Sequence, residues 1–496
     1  MSSTEPRFGS KLGMILSVLG IAVGTGNIWR FPRIVAQNGG AEGAGAFLLV
    51  WILFLVVWSL PLIIAEYALG RHGRKGVVGA FVRAAGTRFA WMGAFVAFVA
   101  AAIMCYYAVV AGWCMYFFGL MLGAPLPETT AAAMAQWEGL QASYWPLILL
   151  VVALSIGGII VVRGIAVIER VNKILIPTLL GIVVISVVRA VTLDGASAGL
   201  AFLFTPDWSI LNNPTVWLEA LTQNAWDTGA GWGLILTYGA YMQTRHGIVT
   251  SSLMTGIGNN LVSLMAAVMI FGTVFAILGA EMSRAEVLAV MQTSGPASTG
   301  LTFIWMPQLL GTLPGGKIFA TLFFLGLSFA AFTSLISMIE LSTRVLVDAG
   351  WERTKAVGTV IIFGIVVGSP SALNLTFLGN QDFVWGVALM ISGALIALAV
   401  RAHGITTFRT AQIDASEDRV KAGRVWEILI GYIVPLQAAI LLGWWLWRAA
   451  TEYAPDSWYN PLDPYSVMTC LVQWGAMMAL FYALNDRLAR SGLETA

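Results

Sequence analysis

A chain of 496 residues that is 58% hydrophobic and only 10% charged exposes too little polar surface for a soluble globule, so it reads as a polytopic membrane protein. Its net charge of +2 is too small to imply nucleic acid or an acidic partner. Cys105, Cys114 and Cys470 lie in apolar segments without metal-ligand spacing, which indicates neither a disulfide framework nor a zinc site and makes them packing residues.

Apolar runs of roughly 20 residues, the length that crosses a bilayer as a helix, occur near 11–37, 44–70, 90–122, 146–162, 166–191, 214–241, 247–279, 315–347, 355–372, 382–400, 424–449 and 465–487. An all-α protein with twelve transmembrane helices is predicted. The opening MSSTEPRFGSKLG lacks the short apolar core and small-residue cleavage site of a signal peptide, so the first run is expected to stay in the mature protein. With the N-terminus inside, roughly 21 of the 27 basic residues fall in inside loops, as the positive-inside rule requires. Both termini are therefore expected in the cytoplasm and the protein in the plasma (inner) membrane. Residues 281–313 mix a polar helix with a Gly/Pro/Ser stretch and fit a re-entrant cap or a surface loop equally well. The charged stretch 406–424 reads as a mobile connector.

The first run holds GIAVGTGNIWRFP at 20–32, with Gly20, Gly24 and Gly26 crowded into its middle. Glycine costs about 1 kcal/mol against alanine inside a helix, and irregular backbone at membrane depth survives only where it is buried in protein or lines a wet cavity. A break near 22–26 is predicted, freeing carbonyls for a hard cation and both kinds of backbone group for a zwitterion. The alternative is a GxxxG packing face through Gly20 and Gly24; Asn27 and Arg30, polar groups just past the break, weigh against it. The sixth run repeats the composition: Gln223, Asn224, Asp227 and Thr228 lead into Gly229, Gly231 and Gly233. A Gly-interrupted helix opening each block of five spans is the pointer to inverted repeats around a midplane site.

On these residues the chain resembles the neurotransmitter:sodium symporter family, in particular its LeuT-like bacterial sodium-dependent amino-acid transporters. AVGTGNIWRFP (22–32) is close to the family's first-helix signature, and NGG (38–40), PL..AEYALGR (61–71), CYY (105–107), RGI..IER (163–170), IPTLL (176–180) and SFAAFTS (328–334) follow in the family's order. This family is the type case of the inverted-repeat rule, so the two arguments are not independent. The resemblance implies a LeuT-type 5+5 inverted repeat with helices 1 and 6 broken. The implied divisions are a cytoplasmic tail at 1–10, repeats at 11–192 and 193–401, a cytoplasmic connector at 402–423, two further helices within 424–488 and a cytoplasmic tail at 489–496.

Two sodium sites are implied. Ala22, Asn27, Asp227 and Asn259 match the first, which the substrate's carboxylate completes. Gly20, Val23 and Ala330 through their carbonyls, with the hydroxyls of Thr333 and Ser334, match the second. Carbonyl, hydroxyl and carboxylate oxygens suit a hard cation; the alternative for both hydroxyls is a bond back to their own helix. The substrate residues carried over are Ala22, Gly24, Gly26, Ile103, Tyr107, Trp226, Gly229, Trp232, Leu335 and Met338. Gly24 stands where monoamine-transporting relatives have an aspartate, so the substrate should bring its own carboxylate. Trp226 and Trp232 shrink the apolar side, which favours a small neutral amino acid, although a rotated indole equally stacks on a larger side chain.

Asp227 departs from the family's usual hydroxyl residue. Ser263 matches the serine that chloride-dependent members use, but Trp51 replaces their tyrosine, so the Asp227 carboxylate is expected to supply the charge that chloride otherwise provides. A protonated or water-satisfied aspartate is the alternative. Arg30 and Asp382 match the outer gate, with Tyr107 and Trp226 as the aromatic lid. Arg7, Phe8, Tyr241 and Asp348 are the inner-gate candidates, with Glu5 standing where the family has its inner arginine. Glu66 is expected to serve polar backbone near helices 1 and 6. The sum is a sodium-coupled symporter importing a neutral amino acid or similar carboxylate-bearing zwitterion, not an enzyme, embedded in the lipid bilayer as a monomer or a homodimer. The competing readings are an amino-acid-binding membrane sensor, which should carry an added signalling domain, and a sodium-gated channel, which needs no two opposed gates.

Overall fold

The computed structural model describes residues 7–292 and 300–493, and among these every regular element is helical. Nine continuous helices are long and apolar enough to span: Gly45–Gly73, Thr87–Gly123, Trp145–Val162, Ile165–Val191, Ile248–Leu278, Gly316–Asp348, Arg353–Leu373, Leu375–His403 and Gly423–Tyr453. Two bent pairs add a first span, Lys11–Ala22 with Thr25–Asn38 at 49°, and a last, Val467–Ala483, which turns by 64° into the terminal helix. The sixth span is split more widely, into Pro214–Asp227 and Leu234–Gly239. Together these are the twelve spans of the sequence reading. The tenth starts at Leu375 rather than near 382, because Asn374 caps it: its Oδ1 accepts from the Phe377 N–H at 2.9 Å, carrying the helix through the polar run that obscured its start.

Packing repeats in pairs related by exchanging spans 1–5 with 6–10. The second half of span 1 packs on span 7, as the second half of span 6 packs on span 2. Each first half follows suit, span 1 against span 7 and span 6 against span 2. Span 8 lies on span 5 as span 10 lies on span 3. The two broken helices thereby meet in the centre. Close approach there depends on small residues, as membrane packing demands: a Cβ on Gly20 would stand 3.1 Å from Ile176 and from Thr333.

Within 281–313, Arg284–Gln292 is a helix tied to the first span, with Gln37 donating to Gln292 O at 2.8 Å and Gln292 donating to Ala36 O at 3.0 Å. Residues 293–299 of that stretch lie outside the described residues. Beyond them Phe303 is fully buried and stacks with Trp137 and Phe324, so this part is packed protein rather than surface loop. The stretch 406–424 is also fastened. Arg409 pairs with Glu427 at 2.7 Å and with Asp414, and Asp418 accepts from the Thr250 N–H at 2.8 Å and from its hydroxyl. All three cysteines are buried and unpaired.

Candidate functional site

The first span breaks at Val23 and Gly24, where the backbone turns extended before a new helix starts at Thr25. The restart is capped from within: the Gly24 N–H donates to Asn27 Oδ1 at 2.8 Å. In the sixth span, Gly229, Gly231 and Gly233 take φ of +68°, +89° and +77°, values that side chains with a Cβ rarely adopt. The Glu66 carboxylate, fully buried on span 2, holds the unwound segment by accepting from the Gly231 N–H at 2.6 Å and the Leu236 N–H at 3.1 Å. Its sequence-level role as partner to polar backbone has this geometry.

Between the breaks lies a polar cluster. Asn27 Nδ2 donates to Asn259 Oδ1 and to Ser263 Oγ, both at 2.8 Å, and Ser263 in turn donates to Asp227 Oδ2 at 2.7 Å. Asn259 Oδ1 also faces Ala22 O at 3.0 Å and Asp227 O at 3.2 Å, which are acceptors too. Turned over, that amide donates to both carbonyls, so the oxygens this side presents to a hard cation are Ala22 O, Asp227 O and the Asp227 carboxylate. Asp227 Oδ1 is buried and has no hydrogen-bond partner among the described residues. Trp51 sits close by on the second span, where its carbonyl accepts from Asn224 at 2.7 Å and its ring packs on Phe31 at 4.3 Å.

The residues matched to a second sodium site lie across spans 1 and 8. Ser334 Oγ is 3.3 Å from both Gly20 O and Ile21 O, bridging to the first span beside its break. Thr333 bonds back to its own helix, to Phe329 O and Ala330 O at 3.1 Å each. Val23 is buried, its N–H donating to Leu19 O at 2.7 Å.

A cavity of about 930 Å³ is lined by Ala22, Gly24, Gly26, Ile103, Tyr107, Trp226, Gly229, Trp232 and Met338, while Leu335 is fully buried outside the lining. Tyr107 places its hydroxyl 3.3 Å from Thr25 Oγ1 and 3.5 Å from the Thr25 N–H, at the start of the second half-helix. From this floor the cavity rises past Arg30 and Asp382 to Glu219, Arg448, Tyr453 and Tyr465. Arg30 stacks over the Trp226 ring at 4.8 Å and, among the described residues, makes no ion pair within 4.0 Å with Asp382. This side is open. None of the described residues of 281–313 lines the cavity.

The opposite side is sealed. Phe8 is fully buried, its N–H donating to Tyr241 O at 3.1 Å and its carbonyl accepting from Gln243 at 2.6 Å. Asp348 is held by Arg344 at 2.8 Å and by the Gly76 N–H at 2.5 Å, and the Arg344 guanidinium lies 5.1 Å over the Tyr241 ring. Arg7 is exposed. Sequence reasoning did not find Arg344, or the buried Glu340 that accepts from Tyr241 and Arg353. The available signal was a carboxylate within the last third of the apolar eighth span, a placement that demands a partner.

Two broken helices crossing at the floor of a one-sided cavity, with polar oxygens at the breaks, are the architecture of a membrane transporter. The profile of the Sodium:neurotransmitter symporter family matches residues 5–141 and 132–442, and the chain belongs to that family. It is 31% identical over 445 residues to an uncharacterised sodium-dependent transporter of Methanocaldococcus jannaschii, covering 86% of this chain and 87% of that one. It is 26% identical to the sodium-dependent serotonin transporter of Drosophila melanogaster, over 87% of this chain and 75% of the other. The structure is similar to that of MhsT in complex with L-phenylalanine, with a TM-score of 0.76 and 29% identity, covering 88% of this chain and 99% of that one. The chain is thus a sodium-dependent transporter with the LeuT-type fold, and not an enzyme.

Proposed function

We propose that the protein imports a neutral amino acid, or a similar carboxylate-bearing zwitterion, together with sodium and without a need for chloride. The observation that carries this reading is the pair of carbonyls, Ala22 O and Asp227 O, around the Asn259 amide, beside an Asp227 Oδ1 that has no hydrogen-bond partner among the described residues. Sodium is taken there and between Gly20, Val23, Ala330, Thr333 and Ser334. The substrate's amine and carboxylate lie along the broken backbone at Ala22–Gly26 with Tyr107 donating to the carboxylate, and its side chain lies among Ile103, Trp226, Gly229, Trp232, Leu335 and Met338. Relatives and neighbours give the substrate class its support: a sodium-dependent neutral amino acid transporter of Rattus norvegicus is 28% identical over 55% of this chain, and MhsT holds L-phenylalanine.

The first span touches both cation sets and the cavity, so each bound species favours arrangements that the others also favour, which is the coupling symport requires. Asp227 supplies the fixed negative charge for the first cation. Arg30 and Asp382 close the open side, which the distribution of basic residues places outside the cell, and Phe8, Tyr241 and Asp348 with Arg7 close the cytoplasmic side. Both termini are cytoplasmic. The test is uptake of radiolabelled amino acids into proteoliposomes under an inward sodium gradient, with chloride or with gluconate. Sodium-driven accumulation that persists in gluconate is expected. Binding without accumulation overturns symport, and accumulation only in chloride overturns the role given to Asp227.

A further inference from the structure

The tenth span carries glycines seven residues apart, Gly379, Gly386 and Gly393, which at 3.6 residues per turn share one face. Each faces an aromatic ring. A Cβ on Gly379 would collide with the Tyr465 hydroxyl, one on Gly393 would stand 3.3 Å from the Trp58 ring, and one on Gly386 would fall inside the Trp226 indole. The last case differs in kind, because Trp226 lines the substrate cavity and the other two notches hold rings at its rim or behind it.

The atoms of Trp226 that occupy the Gly386 notch, Cζ2 and Cη2, belong to the six-membered ring, the part of an indole that extends beyond a phenyl group. Of its other sides, one face and one edge are bounded and the rest opens on the cavity. Arg30 covers its face at 4.8 Å, and Trp232 meets it edge-on at 6.2 Å with its own Nε1 donating to Ala225 O at 3.3 Å. A ring so confined cannot yield to a methyl group on span 10 except by swinging away from that span, and the free volume on that path is the cavity.

We propose that Gly386 is a specificity-determining position: the notch it leaves in the tenth span parks the Trp226 indole and thereby sets how large a substrate side chain fits beneath the lid. This rests on the amino-acid reading of the cavity given above. It concerns a residue that does not itself line the cavity and that no substrate atom needs to touch. Gly386→Ala displaces the indole inward, so bulky substrates lose more than small ones. Trp226→Phe withdraws the atoms that fill the notch and makes the alanine harmless.

The experiment is a double-mutant cycle on the full-length protein in proteoliposomes, comparing the wild type, Gly386→Ala, Trp226→Phe and the double variant. Sodium-driven uptake of labelled alanine and phenylalanine is measured for each, with melting temperature in detergent as a readout that needs no substrate. Gly386→Ala is expected to lower the phenylalanine-to-alanine ratio of uptake at least fivefold with Trp226 present and less than twofold with phenylalanine there. The melting temperature is expected to fall in the first background and to recover in the second. An equal change of the ratio in both backgrounds overturns the proposal, as does a melting-temperature cycle that couples while the ratio stays constant, since that outcome leaves Gly386 a packing residue only. Failure of the wild type to take up any amino acid under a sodium gradient overturns the substrate class instead, and is read before any variant is compared.

Discussion

Asp227 brings a carboxylate into the membrane, and the protein answers only one of its oxygens. Ser263 donates to Oδ2, while Oδ1 is buried without a hydrogen-bond partner among the described residues. An uncompensated buried charge costs several kcal/mol, so a bound cation beside the carbonyls of Ala22 and Asp227 is the natural counter-charge. Replacing Asp227 with asparagine keeps the shape and the Ser263 contact but removes the charge. Asp227→Asn is expected to raise the sodium concentration for half-maximal uptake at least tenfold in gluconate, with part of the loss recovered in chloride, where an anion takes the place of the carboxylate. Uptake curves in the two media check this. Unchanged curves in both would refute the charge role. Asn27 and Asp227 were legible in the sequence because polar groups in apolar spans are few and each needs a reason, whereas Asn259 was reached only through the family resemblance. Arg344, Glu340 and Arg353 were not, since a composition pattern does not say which charge on one long helix meets which charge on the next.

The sixth span shows how an element is broken on purpose. Three positive-φ glycines unwind it, and the Glu66 carboxylate collects the N–H groups that unwinding releases. Each buried donor left unanswered costs about 1–3 kcal/mol, so Glu66→Ala is expected to lower the melting temperature in detergent by well over the effect of Glu66→Gln, which keeps one strong acceptor. Gly231→Ala should be as damaging. A non-glycine residue at φ +89° is strained by about 1–2 kcal/mol, and its Cβ would stand 3.1 Å from Gly393 Cα. Breaks of this kind can be read from glycine placement. The docking of the connector could not, because the contact that ties it to the body, Asp418 to Thr250, joins residues 168 positions apart. There burial of Asp418 works to raise its pKa, but the Thr250 hydroxyl and N–H and the Val420 N–H outweigh it, and the carboxyl is held below its ordinary value. A depressed carboxylate stabilises the docked form above the unfolded value near about 3.9 and loses that contribution as pH falls through the folded value. Pepsin cleavage within 415–422 is therefore expected to rise below about pH 4 in the wild type relative to Asp418→Asn, and trypsin at pH 8 should cut the variant faster after Arg419 and Lys421.

The molecule as a whole is held open on one side and sealed on the other, and the two faces differ in how their charges are used. On the sealed side Asp348 accepts from the Gly76 N–H of another element at 2.5 Å, and Phe8 is locked to Tyr241. On the open side Arg30 and Asp382 face the same cavity without an ion pair within 4.0 Å among the described residues. The twelve spans and their order were legible because hydropathy alone marks them; the state was not, because opening and closing change contacts rather than elements. A pair that forms only on closure contributes nothing to the open arrangement and everything to the balance between the two. Removing one partner should therefore leave sodium binding nearly intact while starving the closed state. A loss of about 1.4 kcal/mol in the closed form alone is a tenfold shift of that equilibrium. Asp382→Asn is expected to change the sodium-induced rise in melting temperature by little and to cut uptake at least tenfold, with the cavity more accessible to impermeant reagents from the open side. If instead the sodium response collapses together with uptake, Asp382 is acting on the cation sites or on folding, and the closure pair must be sought among Glu219, Arg448 and Glu452, which already meet at the cavity mouth at 2.8 Å.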